Sequence, residues 1–502
     1  MGRSSSVPYF LSVLLIAAAG LVYELVASAL ASYLLGDSVL QFSTVIGTYL
    51  FAMGVGSWLS RYVTRGLVER FVMIELMVAV VGGFSSAALF LAFAYTDAFR
   101  LVLYALVFVV GVLVGLEIPL LMRVLRGRYG FKDVVANVLT FDYLGALAAS
   151  LAFPLLLVPR LGLVRAAMLF GLVNALVALW STWLFAPLLP RPRALRVASG
   201  MVLVPLVVGL VRGQALTNAA EDAIYSDEVV LARSSKYQRI VLTAWKDDLR
   251  LWLNGHLQFS ARDEYRYHEA LVHPGLAALP AAERVLVLGG GDGLAVREIL
   301  RYPGVRTVTL VDLDPEMTRL FSTHPTLVAL NRGALQSPRV TVVNADAFVW
   351  LDENRGTYDF VVVDFPDPNN YGVGKLYTTA FYRLLARHLA PGGLIAVQST
   401  SPLFARTAYW SIDATLRQAG FTTWPYHVYV PSFGEWGYVL AGRDGYVPPT
   451  TLPDGLRFLT VAAIPPLFDF PADMSRVPAE PNRLNTQVLV RYYGEEWEKY
   501  NR

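Results

Sequence analysis

The stretch Val285-Leu-Val-Leu-Gly-Gly-Gly-Asp-Gly293 decides the fold of the second half of this chain. Its apolar residues predict a buried parallel strand, and its glycines predict a tight turn into a helix, Leu294 to Leu300. Glycines also let a backbone approach a ligand closely. A second apolar run, Thr307 to Val311, ends in Asp312, an acid about 20 positions beyond the turn. Strand, turn, helix, strand and acid in this order predict a site for a nucleoside.

The alternation of strands and helices continues to about residue 441. It predicts further strands at Val340 to Val343, Phe360 to Val363, Leu394 to Gln398, His427 to Val430 and Tyr438 to Ala441. It predicts helices at Thr378 to Leu389 and Ala405 to Ala419. This pattern is typical of an α/β Rossmann-like domain of the methyltransferase type, with a doubly wound parallel sheet that binds ligands beyond the strand C-termini. Aspartates stand at or just after four strand ends, and although any one could merely cap a helix, together they predict a shared site: Asp292, Asp312, Asp346 and Asp364.

A small antiparallel β-domain is predicted before this fold. Short alternating strands run from Glu228 to Phe259, and Asn254-Gly255 between the last two predicts a type I′ hairpin turn. A helix from about Asp263 to Leu271 connects the two parts.

The composition of the 502 residues indicates a membrane protein. Charged residues make up 16% of the chain, against about 25% in soluble proteins, and 55% of the residues are apolar. The absence of cysteine excludes disulfides and thiolate catalysis, and the six histidines show no metal-binding spacing, so we expect no metal. A net charge of +3 gives no support to nucleic acid as a partner.

Seven apolar runs precede the α/β pattern, near residues 9–35, 39–60, 71–94, 98–122, 134–158, 161–186 and 197–211. A span needs about 20 apolar residues, so six runs qualify and the last, which contains Pro205, is marginal. We therefore expect four regions: a multi-pass α-helical membrane domain over 1–212, the small β-hairpin domain with its linker helix over 213–283, the catalytic domain over 284–445 and a tail over 446–502.

Basic residues are concentrated in alternate loops, in the second, fourth and sixth: Arg61, Arg65, Arg70, Arg123, Arg126, Arg128, Lys132, Arg191, Arg193 and Arg196. The other loops hold only Arg100, Arg160 and Arg165, so the N-terminus is predicted to be cytoplasmic. Seven spans would then put the catalytic domain outside the cell membrane. A seventh run that does not span would leave it in the cytoplasm, the side favoured by substrate supply.

Acidic residues also fall within or beside the apolar runs: Glu24, Glu75, Glu117 and Asp142. A carboxylate at membrane depth often marks a functional site, but pairing with interior tyrosine, asparagine or backbone groups would explain these residues equally simply.

Several motifs in residues 225–442 resemble those of the spermidine synthase (polyamine aminopropyltransferase) family, and the whole chain looks like its membrane-attached, multi-spanning branch. The family's GGGDG turn corresponds to Gly289 to Gly293, and its catalytic loop to Asp364-Phe-Pro-Asp367-Pro368. The other matching segments are Tyr237-Gln238, Leu253 to Gln258, Arg262 to Glu269, Val311 to Asp314 and Asn344 to Ala347.

The resemblance implies aminopropyl transfer from decarboxylated S-adenosylmethionine, a co-substrate, to a diamine, with putrescine as the expected acceptor and spermidine and methylthioadenosine as products. It implies Asp364 as the catalytic base. Residues implied to bind the donor are Gly289, Gly291 and Gly293 in the turn, Asp312 at the ribose, Asp346 at the adenine, and Asp292, Gln258 and His268 at the aminopropyl end. Residues implied to bind the diamine are Asp367, Gln238 and Tyr267. The family also implies a homodimer, and no prosthetic group.

Two departures from the family pattern concern the amine side. Phe365-Pro366 replaces small hydroxyl residues, and Phe433 stands where the soluble enzymes carry a tyrosine. Glu435 and Trp436 could add a wall for a cation or could simply pack beneath the tail.

Two other classes of protein fit parts of the pattern. A membrane-bound S-adenosylmethionine-dependent methyltransferase shares the fold, the turn and the acids, but Asp367 and the Tyr267-His268 pair favour aminopropyl transfer. A non-catalytic polyamine-binding or transport protein would need no intact set of acids. A protein that couples polyamine synthesis to polyamine export would combine catalysis with transport.

Overall fold

The computed structural model describes residues 7–35, 38–96, 98–127, 129–225, 227–497 and 499. The chain divides into two compact units, Met1–Lys236 and Tyr237–Arg502. Arg128, one of the basic residues in the predicted fourth loop, lies outside the described residues.

The first unit is helical. Over the described ranges it contains α1 (Val7–Leu35), α2 (Ser38–Leu59), α3 (Leu67–Tyr95), α4 (Phe99–Leu125), α5 (Phe131–Ala152), α6 (Val158–Leu184) and α7 (Pro192–Ile224), followed by strand β1 (Glu228–Ser234). A π-helical turn, Phe153–Leu157, joins α5 to α6, and Gly162 interrupts α6 with a φ of 73°.

The seven predicted apolar runs are helical over nearly all their length, and the run 134–158 covers most of α5 and the π-helical turn after it. Six stretches of the described chain are long and apolar enough to cross a membrane, judged by length and composition alone: Val7–Leu35, Val39–Tyr62, Leu67–Tyr95, Phe99–Leu125, Phe131–Leu184 and Pro192–Gly213. The fifth stretch has 54 residues and contains two predicted runs. The run predicted as marginal lies in α7, a helix of 33 residues that accommodates Pro205 in its interior.

Glycines allow the helices of this unit to pack closely. A Cβ atom at Gly56 of α2 would lie 2.1 Å from the carbonyl oxygen of Val112 in α4, and one at Gly115 of α4 would lie 2.2 Å from that of Met53. Only glycine permits backbones to approach this far, which is a common way of joining apolar helices.

The second unit begins with three antiparallel strands, β2 (Arg239–Trp245), β3 (Asp248–Leu253) and β4 (His256–Ser260). Asn254 and Gly255 have φ angles of 50° and 81°, the left-handed pair that a type I′ turn requires. The predicted hairpin is therefore confirmed. The helix that follows, α8 (Glu264–Leu276), extends about one turn beyond the predicted end and includes Pro274.

The α/β part is a seven-stranded sheet in the order β10-β11-β9-β8-β5-β6-β7. Its strands are β5 (Arg284–Gly289), β6 (Thr307–Asp312), β7 (Val340–Asn344), β8 (Tyr358–Asp364), β9 (Leu389–Gln398), β10 (Thr422–Val430) and β11 (Gly434–Gly442). The helices between them are α9 (Leu294–Ile299), α10 (Pro315–Thr323), α11 (Pro325–Leu330), α12 (Ala347–Glu353), α13 (Tyr371–Gly374), α14 (Thr379–Leu385) and α15 (Arg406–Gln418). Residues Val285 to Leu288 are completely buried at its centre.

The prediction of a parallel sheet is correct for the direction of six strands and wrong only for β11. β11 pairs antiparallel with both β9 and β10. Only three residues separate β10 from β11, and so short a connection can form a hairpin but cannot cross over to a parallel strand.

The tail packs against the catalytic domain and ends in α16 (Val488–Trp497). The buried carboxylate of Glu269 accepts hydrogen bonds of 2.7, 2.9 and 2.9 Å from the backbone of Arg457, Phe458 and Leu459. The indole of Trp410 donates to the carbonyl oxygen of Met474 at 3.1 Å. These contacts hold the tail along the α/β domain.

Candidate active site

The glycine turn joins the ends of two central strands. Gly289, Gly290 and Gly293 have φ angles of 80°, 64° and 74°, which side chains other than glycine rarely adopt. The amide of Gly290 donates to the carbonyl oxygen of Asp364 at 3.1 Å, and a Cβ atom at Gly289 would lie 2.2 Å from that oxygen. The turn at the end of β5 is therefore packed directly against the end of β8.

Asp312 closes the other side of the turn. Its Oδ2 accepts a hydrogen bond of 3.1 Å from the amide of Gly291, and its Oδ1 accepts one of 2.8 Å from the amide of Asp314. A Cβ atom at Gly291 would lie 2.7 Å from the Asp312 carboxyl group. Burial raises the pKa of Asp312 to about 6. The sequence pattern placed this acid beside the turn, and the structure brings the two into contact.

Four predicted site residues cluster beside the turn: Tyr267, His268, Asp292 and Asp364. The hydroxyl of Tyr267 donates to Oδ1 of Asp364 at 2.6 Å, and the rings of Tyr267 and His268 lie 4.9 Å apart. The charges of Asp292 and Asp364 both act on the imidazole of His268. Helix α8 supplies two of these side chains, and the ends of β5 and β8 supply the others, so the site forms where three elements meet.

The pKa values of this cluster depend on burial and on mutual charge. Burial raises the pKa of Asp364 to about 6; the Asp292 carboxylate adds to this effect, while His268 and the Tyr267 hydroxyl oppose it. Burial also raises the pKa of Asp292. Burial alone would lower the pKa of His268, but the hydrogen bond and charge of Glu264 raise it above its ordinary value. An imidazolium at His268 partly offsets the neighbouring carboxylates.

A buried ion-pair network holds His268 in place. Its Nδ1 lies 2.8 Å from Oε2 of Glu264, whose carboxylate accepts hydrogen bonds of 2.9 and 2.8 Å from Arg297. Arg297 also donates to Glu298 at 2.8 Å, and Glu298 contacts His273 at 3.2 Å. The sequence analysis did not identify Glu264 or Arg297. The adjacency of Glu264 to the Tyr267-His268 pair on one helix face was the available signal.

The second loop aspartate, Asp367, is held by a different set of residues. It accepts hydrogen bonds of 3.2 Å from both Gln398 and Thr400, at the end of β9, and another from the hydroxyl of Tyr493 in α16. Burial raises the pKa of Asp367 to about 6, and these three donors oppose that shift. The sequence analysis missed all three donors. No local pattern connects Tyr493, in the tail, with this loop.

Phe365 explains how the loop between the two aspartates tolerates its unusual sequence. Its side chain is buried against Tyr377 and Phe381, with ring centroids 6.2 and 5.8 Å away. The Tyr377 hydroxyl donates to the carbonyl oxygens of Phe365 and Pro366, both at 3.2 Å. The aromatic side chain anchors the loop in the core, so a small hydroxyl residue is not needed there.

Aromatic rings line the cluster on the side of β11. The ring centroid of Phe433 lies 5.0 Å from that of Trp436 and 6.3 Å from that of Tyr267. The buried indole N–H of Trp436 has no hydrogen-bond partner among the described residues. Glu435, which the sequence offered as part of the same wall, lies 2.9 Å from Nδ1 of His427 instead.

Three other predicted site residues make contacts away from this cluster. Asp346 caps α12 by accepting from Phe348 at 2.9 Å and pairs with Lys375. Gln258 donates to the carbonyl oxygen of His256 on its own strand at 3.1 Å. Gln238 donates to Oδ2 of Asp314 at 2.9 Å, beside the Asp312 side of the glycine turn.

The fold and this arrangement define a class of protein: a transferase with a methyltransferase-type nucleoside site and a buried carboxylate placed beside it. A family model described as the spermine/spermidine synthase domain matches residues 264–448. A polyamine aminopropyltransferase of Ralstonia nicotianae is 59% identical over 496 residues, which covers 97% of each chain. One of Leptospira interrogans is 52% identical over 490 residues, which covers 98% of each chain.

Among solved structures, a spermidine synthase from Thermotoga maritima is similar with a TM-score of 0.44 and 23% identity, over 48% of this chain and 84% of that one. From the curated relatives, the chain belongs to the spermidine synthase (polyamine aminopropyltransferase) family. It is therefore an aminopropyl-transferring enzyme of polyamine biosynthesis. The relatives match along nearly the whole chain, so they share the helical unit as well as the catalytic one.

Proposed function

We propose that the second unit transfers the aminopropyl group of decarboxylated S-adenosylmethionine to putrescine, giving spermidine and methylthioadenosine. The observation that carries this proposal is the position of Asp364, which is hydrogen-bonded to Tyr267 at 2.6 Å and lies beside the glycine turn. In the reaction the amine nitrogen forms a bond to the terminal propyl carbon. The carbon–sulfur bond breaks, and its electron pair stays on sulfur, which leaves as a neutral thioether.

Asp364 is the group that takes the proton lost by the attacking amine. A protonated amine has no lone pair and cannot attack, so a base must hold that proton. With its pKa raised to about 6, Asp364 is ionised at neutral pH but is a stronger base than an exposed carboxylate. The charge of His268 stabilises the ionised form of Asp364, whereas the Asp292 carboxylate opposes it and raises the pKa.

The remaining roles divide between the two substrates. The turn glycines and Asp312 bind the nucleoside, with Asp346 at the adenine, while Asp292, His268 and Gln258 hold the aminopropyl end. Asp367, Gln238 and Tyr267 position the diamine. Phe433 and Trp436 add an aromatic wall whose π faces attract a cation. Buried carboxylates suit two cationic substrates, since they offset the mutual repulsion of the amine and the sulfonium.

The decisive experiment compares Asp364→Asn with the wild-type enzyme in a mass-spectrometric assay of the purified full-length protein. Putrescine, cadaverine, agmatine and spermidine are offered in turn with decarboxylated S-adenosylmethionine, and S-adenosylmethionine is tested in parallel. We expect methylthioadenosine with putrescine, and a rate about 10²–10⁴-fold lower in the variant, which is the usual contribution of a general base. Asp352→Asn, which alters an exposed residue of α12, is the matched control and should keep the wild-type rate.

Two results of that assay would contradict the proposal. An unchanged rate in Asp364→Asn would remove this residue from the mechanism. Formation of S-adenosylhomocysteine alone would make the protein a methyltransferase.

We also propose that the helical unit is embedded in the cell membrane. The length and apolar composition of six stretches, one of them long enough for two passes, support this. The chain has no cysteine, so a single Glu353→Cys change on the catalytic unit can be probed cleanly with a membrane-impermeant maleimide. Labelling in intact cells would put this unit outside, and labelling only after permeabilisation would put it in the cytoplasm.

A further inference from the structure

Several buried polar side chains of the helical unit have no hydrogen-bond partner among the described residues, and Tyr23, Glu75 and Glu117 are three of them. Glu75 of α3 and Glu117 of α4 are completely buried, and none of their carboxylate oxygens is hydrogen-bonded within the described chain. The hydroxyl of Tyr23 in α1, whose residue is 2% exposed, also has no partner there. Buried polar groups are nearly always hydrogen-bonded, so each of these exceptions requires an explanation.

The three groups belong to one cluster. Electrostatic interaction couples Glu75 to Glu117, and both carboxylates to the Tyr23 hydroxyl. The Tyr23 ring packs on Gly82, two turns along α3 from Glu75, where a Cβ atom would lie 2.7 Å from the ring. Tyr49 of α2 borders the same cluster, since its hydroxyl interacts with Glu117 and Tyr23. Tyr23 and Tyr49 pack in one buried cluster with Ile74, Val78, Val114 and Leu120, which flank the two glutamates, so the three unpartnered groups lie in the same part of the interior.

A fourth unpartnered group lies at the same level of the bundle. Asn174 of α6 is completely buried, and neither its amide nitrogen nor its oxygen has a partner among the described residues. α6 runs antiparallel to α3, because Gly171 approaches Ala79 while Ala167 approaches Gly83. One further turn along each helix brings Asn174 to the level of Glu75.

Helices α1 to α4 contain no lysine, since the first lysine of the sequence is Lys132. Their arginines lie near the helix ends, at Arg70, Arg100 and Arg123, and within the described chain neither glutamate is hydrogen-bonded to a cation. Leaving a carboxylate buried without a partner is strongly unfavourable, and a second carboxylate beside it increases the cost. A bound cation would supply both the missing charge and the missing hydrogen-bond donors.

We propose that Tyr23, Glu75, Glu117 and Asn174 form a binding site for the protonated amino group of a small aliphatic amine, here named the buried amine site. A primary ammonium carries three N–H donors and no acceptor, which matches a site rich in unsatisfied acceptors. The rings of Tyr23 and Tyr49 would face its alkyl chain and its charge. No group of three or more acidic, histidine or cysteine residues suited to a metal occurs in the described parts of the chain, which favours an organic cation over a metal ion. All of these residues belong to the helical unit, so the buried amine site is independent of the proposed reaction.

The test counts amine sites in the full-length protein, purified in an uncharged detergent, by equilibrium dialysis with radiolabelled putrescine. We expect two sites per chain in the wild type. Asp367→Asn should weaken putrescine binding at the catalytic site and leave binding at the buried amine site unchanged. Glu75→Gln combined with Glu117→Gln should abolish the second site while aminopropyl transfer continues. Glu69→Gln, at the start of α3, is the matched control and should keep both sites.

The wild-type stoichiometry can overturn the proposal even if the double variant fails to fold. One putrescine site per chain, lost in Asp367→Asn, would overturn the buried amine site and leave the proposed reaction intact. Two sites that both persist in the double variant would overturn it as well. A second site without any aminopropyl transfer would support the buried amine site and count against the proposed reaction.

Discussion

The hydroxyl of Tyr267 donates a 2.6 Å hydrogen bond to Oδ1 of Asp364, joining the first helix of the second unit to the end of a central strand. The bond fixes the carboxylate beside the glycine turn. It also lowers the pKa of Asp364, against the larger effect of burial, which raises it. The same contact thus affects both the pKa of Asp364 and its position.

Tyr267→Phe should shift the pH dependence of the reaction. The reaction needs Asp364 ionised, so kcat/KM of the wild type should fall as the pH drops through about 6. Removing the hydroxyl removes a donor that favours the carboxylate, so the pKa of Asp364 rises and the acid limb moves to higher pH. Profiles of kcat/KM with putrescine measure the shift. Tyr265→Phe, on the same helix, should keep the wild-type profile. If the acid limb of the kcat/KM profile stayed at the same pH in Tyr267→Phe, the assignment of Asp364 as the base would be refuted.

Tyr493→Phe should weaken binding of the amine without affecting the donor. Tyr493 donates to Asp367, and its loss removes a hydrogen bond to a charged group, which is typically worth about 1.5–3 kcal/mol. We expect KM for putrescine to rise on the order of 10-fold, with little change in kcat or in KM for the donor. Steady-state kinetics with each substrate varied provide the measurement. Tyr492→Phe is the neighbouring control, and equal effects of the two changes would argue against a specific contact.

Gly291→Ala should impair binding of the nucleoside. The added methyl group would lie 2.7 Å from the Asp312 carboxyl group and would push it away from the turn. Overpacking of this kind costs about 1–3 kcal/mol, so affinity for methylthioadenosine should fall on the order of 10-fold or more. Titration calorimetry can measure it. Gly304→Ala is the control: the nearest atom is 3.8 Å from the new carbon, so this variant should bind methylthioadenosine normally. Unaltered affinity in Gly291→Ala would mean that the turn is not the nucleoside site.

Arg297→Met should destabilise the second unit. The side chain is nearly buried between Glu264 and Glu298, and its removal takes both of its hydrogen bonds from Glu264 and one of the charge partners from Glu298. Breaking a buried pair in this way costs about 3–5 kcal/mol. Arg319→Met removes an exposed pair with Glu316 and should cost at most about 1 kcal/mol. Thermal unfolding of both variants tests the difference, and similar melting temperatures would show that the network contributes little.

Much of the fold could be predicted because it depends on local patterns. The glycine turn, the strand before it and Asp312 lie within about one strand–helix–strand unit, whose geometry follows from residue spacing. The type I′ hairpin at Asn254-Gly255 is predictable for the same reason. The seven apolar runs predict helices because, in apolar surroundings, a long segment has few other ways to satisfy its backbone hydrogen bonds.

Other parts depend on contacts between residues distant in the chain. The antiparallel pairing of β11 with β9 arises because the last hairpin places its second strand, rather than its first, beside β9, and no residue pattern in β11 specifies that pairing. The hydrogen bond from Tyr493 to Asp367 requires the whole tail to be packed along the domain. The grouping of Tyr23, Glu75 and Glu117 likewise depends on how three helices are rotated about their axes.

The order of elements and the acids at the strand ends were therefore readable from residue spacing, whereas the proposed base, Asp364, followed from the family resemblance. Tertiary packing decided the strength of that base and the residues that hold it. The pKa of Asp364 depends on burial and on charges contributed by α8 and β5, and each of these arises only when separate elements meet in the folded chain.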